Sequence, residues 1–318
     1  MNNAVEPTGT TGRPVISIVM PVLNAAATIG AALDSVAGQT FELEAIIADG
    51  GSTDATVAIA GRFPFARVLP APGSSIYEAL NLALAAARAP ILAWLNADDL
   101  FVAGALVRAL DAFAAAPEAE IVRGTAQFRR SDAAGWQGRE DRIEARAAGP
   151  LSLDLITRGP LAINSMLFRR EVLTRIGPFD TSFRLAADRE WMLRAWCRGV
   201  RVLELKHPVY CYRVHRGSST LDPGRRNHLR VREEHIAILA QALPPALRLD
   251  PGAPVRIALR RWHAIECARL LRALPAAGGW RRTFRFLTEA VRRDPAWPLI
   301  LAGEAAAKLL GRRAGHVR

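Results

Sequence analysis

Three cysteines, three tyrosines and four methionines in 318 residues leave this chain poor in side chains that several chemistries require. Cys197, Cys211 and Cys267 are odd in number and lack metal-ligand spacing. They exclude a disulfide framework and read as reduced, structural thiols in the cytosol. No apolar run approaches the ~20 residues that span a bilayer; Ala79–Ala87 and Ile91–Leu95 fall well short. No secretory signal opens the chain, whose residues 1–13 are polar and read as a disordered lead-in. A Gly-x-Gly-x-x-Gly loop is also missing: Pro21-Val22-Leu23-Asn24 follows the first apolar run, which disfavours a dinucleotide oxidoreductase.

Apolar residues, by contrast, make up 50% of the chain, ample for a core. The net charge of +12 is uneven. From Asp222 to Arg318 there are 19 basic against 8 acidic residues, a surplus of 11 that leaves +1 for the rest. Such a segment attracts an anionic partner such as an inner membrane leaflet, a lipid diphosphate or nucleic acid. The arginine-rich, alanine-rich composition is itself an alternative explanation.

The stretch that organises the chain is Ile91-Leu92-Ala93-Trp94-Leu95-Asn96-Ala97-Asp98-Asp99. An unbroken apolar run reads as a strand buried on both faces, and here it stops at an amide and two carboxylates. Acids at the carboxyl end of a central strand lie where open α/β sheets bind ligands, and hard oxygen donors there suit Mg²⁺ or Mn²⁺.

Around it the pattern alternates. Strands are expected at Val15–Met20, ended by Pro21, then at Leu43–Ala48, Arg67–Leu69 and Ile91–Leu95. Helices are expected over Ala25–Ala37, stopped by Gly38, then from Asp54 through Ala60, over Ile76–Arg88 and over Ala103–Ala115. This order argues a parallel sheet with right-handed crossovers. Further strands are expected at Ile121–Phe128, Leu161–Phe168, Val200–Leu205 and Val209–Val214. Arg130–Ala148 reads as a charged loop, and helices as Arg170–Ile176 and Ala187–Arg198. Beyond Asp222 only helical stretches remain, near Arg225–Ala242, Val255–Leu274, Trp280–Arg292 and Leu299–Leu310, separated by Pro and Gly. The expected division is a lead-in at 1–13, an α/β domain at 14–221 and a basic helical extension at 222–318. That extension either packs as ordinary helices or offers an interfacial surface.

Three loops meet at the carboxyl edge of such a sheet: Pro21–Asn24, Asp49–Asp54 and Asn96–Asp99. Together they offer acceptors for a base and ribose, and an anchor for a metal that balances phosphate charge. Each acid taken alone is a weak signal, since an Asp after a strand is more often a helix cap than a ligand.

These blocks resemble family 2 glycosyltransferases of the GT-A fold, over roughly Val15 to Thr220. Val15–Asn24, Ile46–Thr56, Ile76–Asn81, Leu95–Asp99, Phe179-Asp180 and Ala187-Asp188 carry the likeness. The resemblance implies a Rossmann-like, mostly parallel sheet flanked by helices. It also implies inverting transfer from a nucleotide-diphosphate sugar, assisted by Mg²⁺ or Mn²⁺. By that likeness Asp49 reads the base, Asn96-Ala97-Asp98 stands for the metal-binding Asp-x-Asp triplet with Asp98 on the ion, and Asp188 is the catalytic base. His215, in a loop that resembles one closing over the nucleotide, is a further metal-shell or phosphate candidate, a solvated histidine being the alternative. Pro21 and Asn24 belong to the donor loop, and Tyr77 and Asn81 line the donor site or, for Tyr77, the core. Trp191 and Trp196 are expected to shape an acceptor pocket, while Trp94 and Trp136 read as packing or surface residues.

There are departures. Asn96 replaces the first acid of the triplet, as in a subset that pairs Leu-Asn-x-Asp-Asp with Asp-Gly-Gly-Ser-Thr-Asp. Pro72-Gly73-Ser74-Ser75 stands where that subset has Asp and Gly, and Leu80 where it often has Arg. The expected partners are a nucleotide-sugar donor, a glycan or lipid-linked acceptor and an anionic membrane surface reached through 222–318, with nucleic acid disfavoured. The expected location is the cytoplasm, peripheral on the inner membrane face. The alternative is a nucleotide-sugar or RNA-binding module without transferase activity.

Overall fold

The computed structural model describes residues 13–37, 41–130, 141–146, 151–158, 162–214 and 228–303. Gly38, Trp136, the loop His215–Thr220 and the lead-in through residue 12 lie outside them. The chain divides into two units, 1–151 with 160–224, and 152–159 with 225–318.

In the first unit, β1 (Ile16–Val22), α1 (Ile29–Ala37), β2 (Leu43–Asp49), α2 (Thr56–Ala60), β3 (Ala66–Pro70), α3 (Ile76–Ala86) and β4 (Ile91–Trp94) alternate along the chain. The four strands pair in parallel in the order β3-β2-β1-β4. Their apolar runs are unbroken because both faces are covered. Ile16, Ile18 and Met20 join Ile29, Leu33 and Val36 of α1 on one face, while Trp94 meets Tyr77 of α3 on the other.

β1 continues through Pro21, two residues past its expected end. Gly50 N–H bonds the Val22 carbonyl and Leu95 N–H the Val19 carbonyl, so odd-numbered residues of β1 bond toward β4. The β4 ladder ends at the Val19–Trp94 pair, so the N–H that Pro21 lacks would have had no strand partner there.

The sheet continues with β5 (Leu100–Phe101), α4 (Ala105–Ala115), β6 (Ile121–Arg130), β7 (Asp141–Arg146), β8 (Met166–Arg169), α6 (Arg170–Ile176), α7 (Ala187–Cys197) and β9 (Val202–Val214); α5 (Leu153–Arg158) precedes β8 and belongs to the second unit. β8 joins β4 antiparallel, and the order runs on as β8-β6-β9-β5, with β7 on the later part of β6. Three expectations are corrected. Part of the expected charged loop is the strand β7. The strand expected at Leu161–Phe168 is shorter, starting at Met166 after a 3₁₀ turn. The two strands expected from Val200 to Val214 are one, with register shifts on either side of the Thr125–Pro208 pair. Gly124 stands opposite: a Cβ there would lie 2.3 Å from Val209 Cγ2.

The second unit packs α5 with α8 (His228–Ala246) and α9 (Pro254–Arg293) around Leu239, Leu243, Leu259, Trp262 and Leu270. Separate helices were expected at Val255–Leu274 and Trp280–Arg292; α9 is continuous instead, through Pro275 and Gly278-Gly279. An interior proline costs a helix roughly 3 kcal/mol, and the buried residues of its first half, Leu259, Trp262 and Leu270, anchor α9 on the side that precedes Pro275. All three cysteines are free, with Cys211 and Cys267 buried and Cys197 exposed.

Candidate active site

Each loop at the carboxyl edge of β1, β2 and β4 is held by its own polar residues. Asn24 has φ +49°, a conformation that asparagine tolerates better than most side chains. Its N–H donates to Ser52 Oγ at 2.9 Å, and its Oδ1 accepts from Thr53 N–H at 2.9 Å, so the first loop is sewn to the second. Asp49 accepts from the N–H groups of Gly51 and Ser52 and from the Ser52 hydroxyl. Gly51 supplies the turn with φ +98°. Asp54 receives Ala26 N–H at 3.1 Å and the hydroxyl of Thr56. Asp49 and Asn24 therefore build the loop edge, and Pro21 lies half-buried beneath it.

The third loop carries the strongest electrostatics. Asp99 is only 3% exposed. It accepts from Asn96 Nδ2 at 2.9 Å, from the Tyr210 hydroxyl at 2.8 Å and from Arg213 N–H at 2.8 Å. Burial, and then the charge of Asp98, nevertheless push its carboxyl up to about 7. Asp98 itself is half-buried and Ala97 buried. Asn96 spans the loop, its Oδ1 accepting from Trp94 Nε1 at 2.8 Å and its backbone N–H donating to Tyr210 Oη at 3.0 Å. Its amide is thus engaged at both ends in shaping the turn.

From Asp99 a polar chain runs on through β9. Asn164 Nδ2 reaches Tyr210 Oη at 3.4 Å, and Tyr212 donates its hydroxyl to Asn164 Oδ1 at 3.0 Å. Burial raises the Tyr212 phenol well above its ordinary value, with further contributions from the charges of Asp99 and Asp188. Tyr210, Tyr212 and Asn164 are not among the expected site residues. A signal existed, since two of only three tyrosines stand two residues apart on one strand and so share a face.

Asp188 occupies the first turn of α7 and is half-buried. The cap position is Ala186 without a side-chain bond, while Asp188 Oδ1 accepts the first-turn N–H of Arg189 at 2.8 Å. The segment that leads into α7 is firmly held. Asn81 donates to the Phe179 carbonyl at 2.9 Å and accepts Phe179 N–H at 3.0 Å, closing a two-bond clamp from α3. Trp191 Nε1 holds the Gly177 carbonyl at 3.0 Å, and Arg194 the Ile176 and Pro178 carbonyls. Tyr77, Trp94, Phe179 and Trp191 pack as one aromatic cluster. Of the expected donor-lining and acceptor residues, then, Tyr77 and Trp191 are core, and the Asn81 amide is spent on Phe179. Leu80 is buried apolar packing, and Trp196 is half-buried. His215 lies outside the described residues.

A hard cation suits the acid pair Asp98 and Asp99, because positive charge would relieve the repulsion that raises the Asp99 pKa. Among the described residues no group of three or more His, Cys, Asp or Glu converges on such an ion. Further ligands would have to come from bound phosphate oxygens, water or residues beyond those described.

Comparison with known proteins gives concordant matches. The family model for Glycosyl transferase family 2 matches residues 17–177. A PGL/p-HBAD biosynthesis glycosyltransferase of Mycobacterium tuberculosis is 28% identical over 283 residues, covering 85% of this chain and 98% of the relative. The succinoglycan biosynthesis protein ExoU of Rhizobium meliloti is 28% identical over 318 residues, covering 92% of this chain and 87% of that protein. Among solved structures, S. aureus TarS 1-349 in complex with UDP-GlcNAc superposes with a TM-score of 0.61 at 18% identity, over 91% of this chain and 87% of that one. A mannosyltransferase of Pyrobaculum calidifontis, in complex with GDP-Man and Mn²⁺, gives a TM-score of 0.54 at 20% identity, over 94% and 87%. These structural likenesses establish the GT-A fold.

Proposed function

The chain belongs to glycosyl transferase family 2, and from that premise we propose that it is an inverting enzyme whose general base is Asp188. The donor is a nucleotide-diphosphate sugar, and the acceptor is a hydroxyl of a lipid-linked glycan or polysaccharide. The relatives named for glycolipid and succinoglycan biosynthesis support that acceptor class. A cytoplasmic, membrane-side location fits such an acceptor.

The observation that supports the reading is the acid pair Asp98 and Asp99 at the carboxyl edge of β4, the first half-buried and the second held by Asn96, Tyr210 and the Arg213 N–H. Inversion needs an acid-bearing donor edge on one side of the reacting carbon and a base on the other. Asp188 accepts the acceptor's hydroxyl proton as the new oxygen–carbon bond forms, and the bond from the anomeric carbon to the diphosphate breaks, releasing the nucleoside diphosphate with its electron pair. Asp49 and Asn24 receive the base and ribose at the loop edge they build, with Pro21 and Ala97 as backbone walls. Asn96, Tyr77 and Asn81 act by holding their loops. Asp98, with His215, would hold Mg²⁺ or Mn²⁺, which when bound supplies the positive charge that stabilises the departing diphosphate.

The test measures nucleoside-diphosphate affinity with and without Mn²⁺, then transfer across a panel of nucleotide sugars. Wild-type protein should gain affinity from Mn²⁺, and Asp98→Ala should lose that gain. Affinity indifferent to Mn²⁺, together with tight RNA binding, would instead indicate a binding module.

A further inference from the structure

The second half of α9 carries a face that its own unit leaves open. Phe284, Leu287 and Val291 are 66%, 36% and 43% exposed. Spacings of three and four residues align them as one stripe. Ala290, fully buried, marks the side of the helix turned inward. Thr288 stands at the edge of the stripe and returns its hydroxyl to the Phe284 carbonyl at 2.9 Å, so it brings no unsatisfied polar group to that surface.

Charge is arranged beside this stripe. Arg281, Arg285 and Arg292 are exposed on the flank adjoining it. Glu289 lies further round the helix, where Arg292 approaches it at 3.9 Å and Arg293 at 3.3 Å. Among the described residues no helix is long and apolar enough to cross a membrane, so contact with lipid would be lateral. Apolar side chains bordered by flexible guanidinium groups match the two layers of a bilayer surface, acyl chains below and phosphates above. The surplus of 11 positive charges in residues 222–318 selects for an anionic surface.

We infer that α9 lies along an anionic lipid bilayer, with Phe284, Leu287 and Val291 in the acyl boundary and Arg281, Arg285 and Arg292 on headgroup phosphates. The inference extends the membrane-side location proposed above but rests on the helix alone, and its test needs no turnover.

Full-length protein is sedimented with vesicles of phosphatidylglycerol and phosphatidylcholine, and separately with phosphatidylcholine alone. Binding should be at least about tenfold stronger to the anionic vesicles and should weaken as salt rises. The double variant Phe284→Asp, Leu287→Asp should lose about tenfold or more in vesicle affinity with nucleotide binding and melting temperature unchanged. Arg281→Gln with Arg285→Gln should lose about fivefold per arginine. Equal binding to both vesicle types, or undiminished binding by the Asp double variant, would overturn the inference. So would a dimer in sedimentation velocity that the Asp variant dissociates while vesicles bind neither protein, since the stripe would then belong to a second copy. Vesicle binding without sugar transfer would refute the proposed function and leave this inference standing.

Discussion

The two ends of the central sheet each bury a carboxylate, and they treat it in opposite ways. At the amino end, Glu44 is 4% exposed. It takes the Ser17 hydroxyl at 2.6 Å, Arg88 N–H at 2.6 Å and Arg88 Nε at 2.9 Å. Burial alone would raise its pKa, but those partners outweigh it and hold the carboxyl below its ordinary range. At the carboxyl end, Asp99 has three donors of its own, yet burial, and then the charge of the adjacent Asp98, raise its pKa to about 7. The first carboxylate is neutralised within the protein. The second is held by neutral donors beside another acid, and a bound cation would favour its ionised form.

The contrast can be broken at several points. The largest effect is expected at the base: Asp188→Asn should lower transfer by about 10²–10⁴-fold, the usual share of a general base, with donor affinity retained. Steady-state rates combined with nucleotide titration check it, and unchanged turnover would move the base elsewhere. At the amino end, Glu44→Ala should cost roughly 2–3 kcal/mol of stability by stranding the Ser17 hydroxyl and buried N–H groups. Denaturant melts should show that loss while Mn²⁺-dependent nucleotide binding is spared; losing the Mn²⁺ gain as well would show that the two ends are not independent.

The helical unit extends the comparison to a third buried acid. Burial opposes ionisation of Glu266, but His235, Arg269 and Arg232 outweigh it and bring its pKa down to about 2. Arg232 and Arg269 lie at 3.0 and 2.9 Å. Burial meanwhile lowers His263 to about 4. An unfolded chain takes up the histidine proton near pH 6.5, so the His263 contribution, on the order of 2–3 kcal/mol, is present above that pH and lost as pH falls toward 4. The Glu266 contribution, of similar order, is present above about pH 4.5 and lost as pH falls toward 2. Acid unfolding of wild type against His263→Gln should separate the two steps, and an identical pH dependence in both proteins would remove the histidine from this account. The smallest effect is expected for Tyr210→Phe, about 1 kcal/mol for the lost hydroxyl bonds, with weakened Mn²⁺-dependent nucleotide affinity as its readout. Full retention of that affinity would confine the residue to packing.

Much of this was legible in the chain because it depends on local pattern. The apolar runs and their Gly, Asn and Asp terminators locate the parallel strands and bring Asn24, Asp49 and Asp98 to one edge, because consecutive βα units deliver their loops to the same side. The limits of local pattern show equally at particular residues. Pro21 reads as a terminator, yet the sheet tolerates it because its missing N–H points past the end of β4. Pro275 and Gly278-Gly279 read as breaks, yet α9 runs through them without interruption. Asn81 reads as donor-lining, whereas its amide closes on Phe179, 98 positions away.

The sequence by itself determined which acids end which strands, how the positive charge is distributed and which family the motifs resemble, since these follow from residue order alone. Tertiary structure decided how each acid ionises. Glu44 and Asp99 are both buried carboxylates, but folding brings Ser17 and Arg88 to the first and lowers its pKa, whereas burial, with the charge of the adjacent Asp98, raises that of the second.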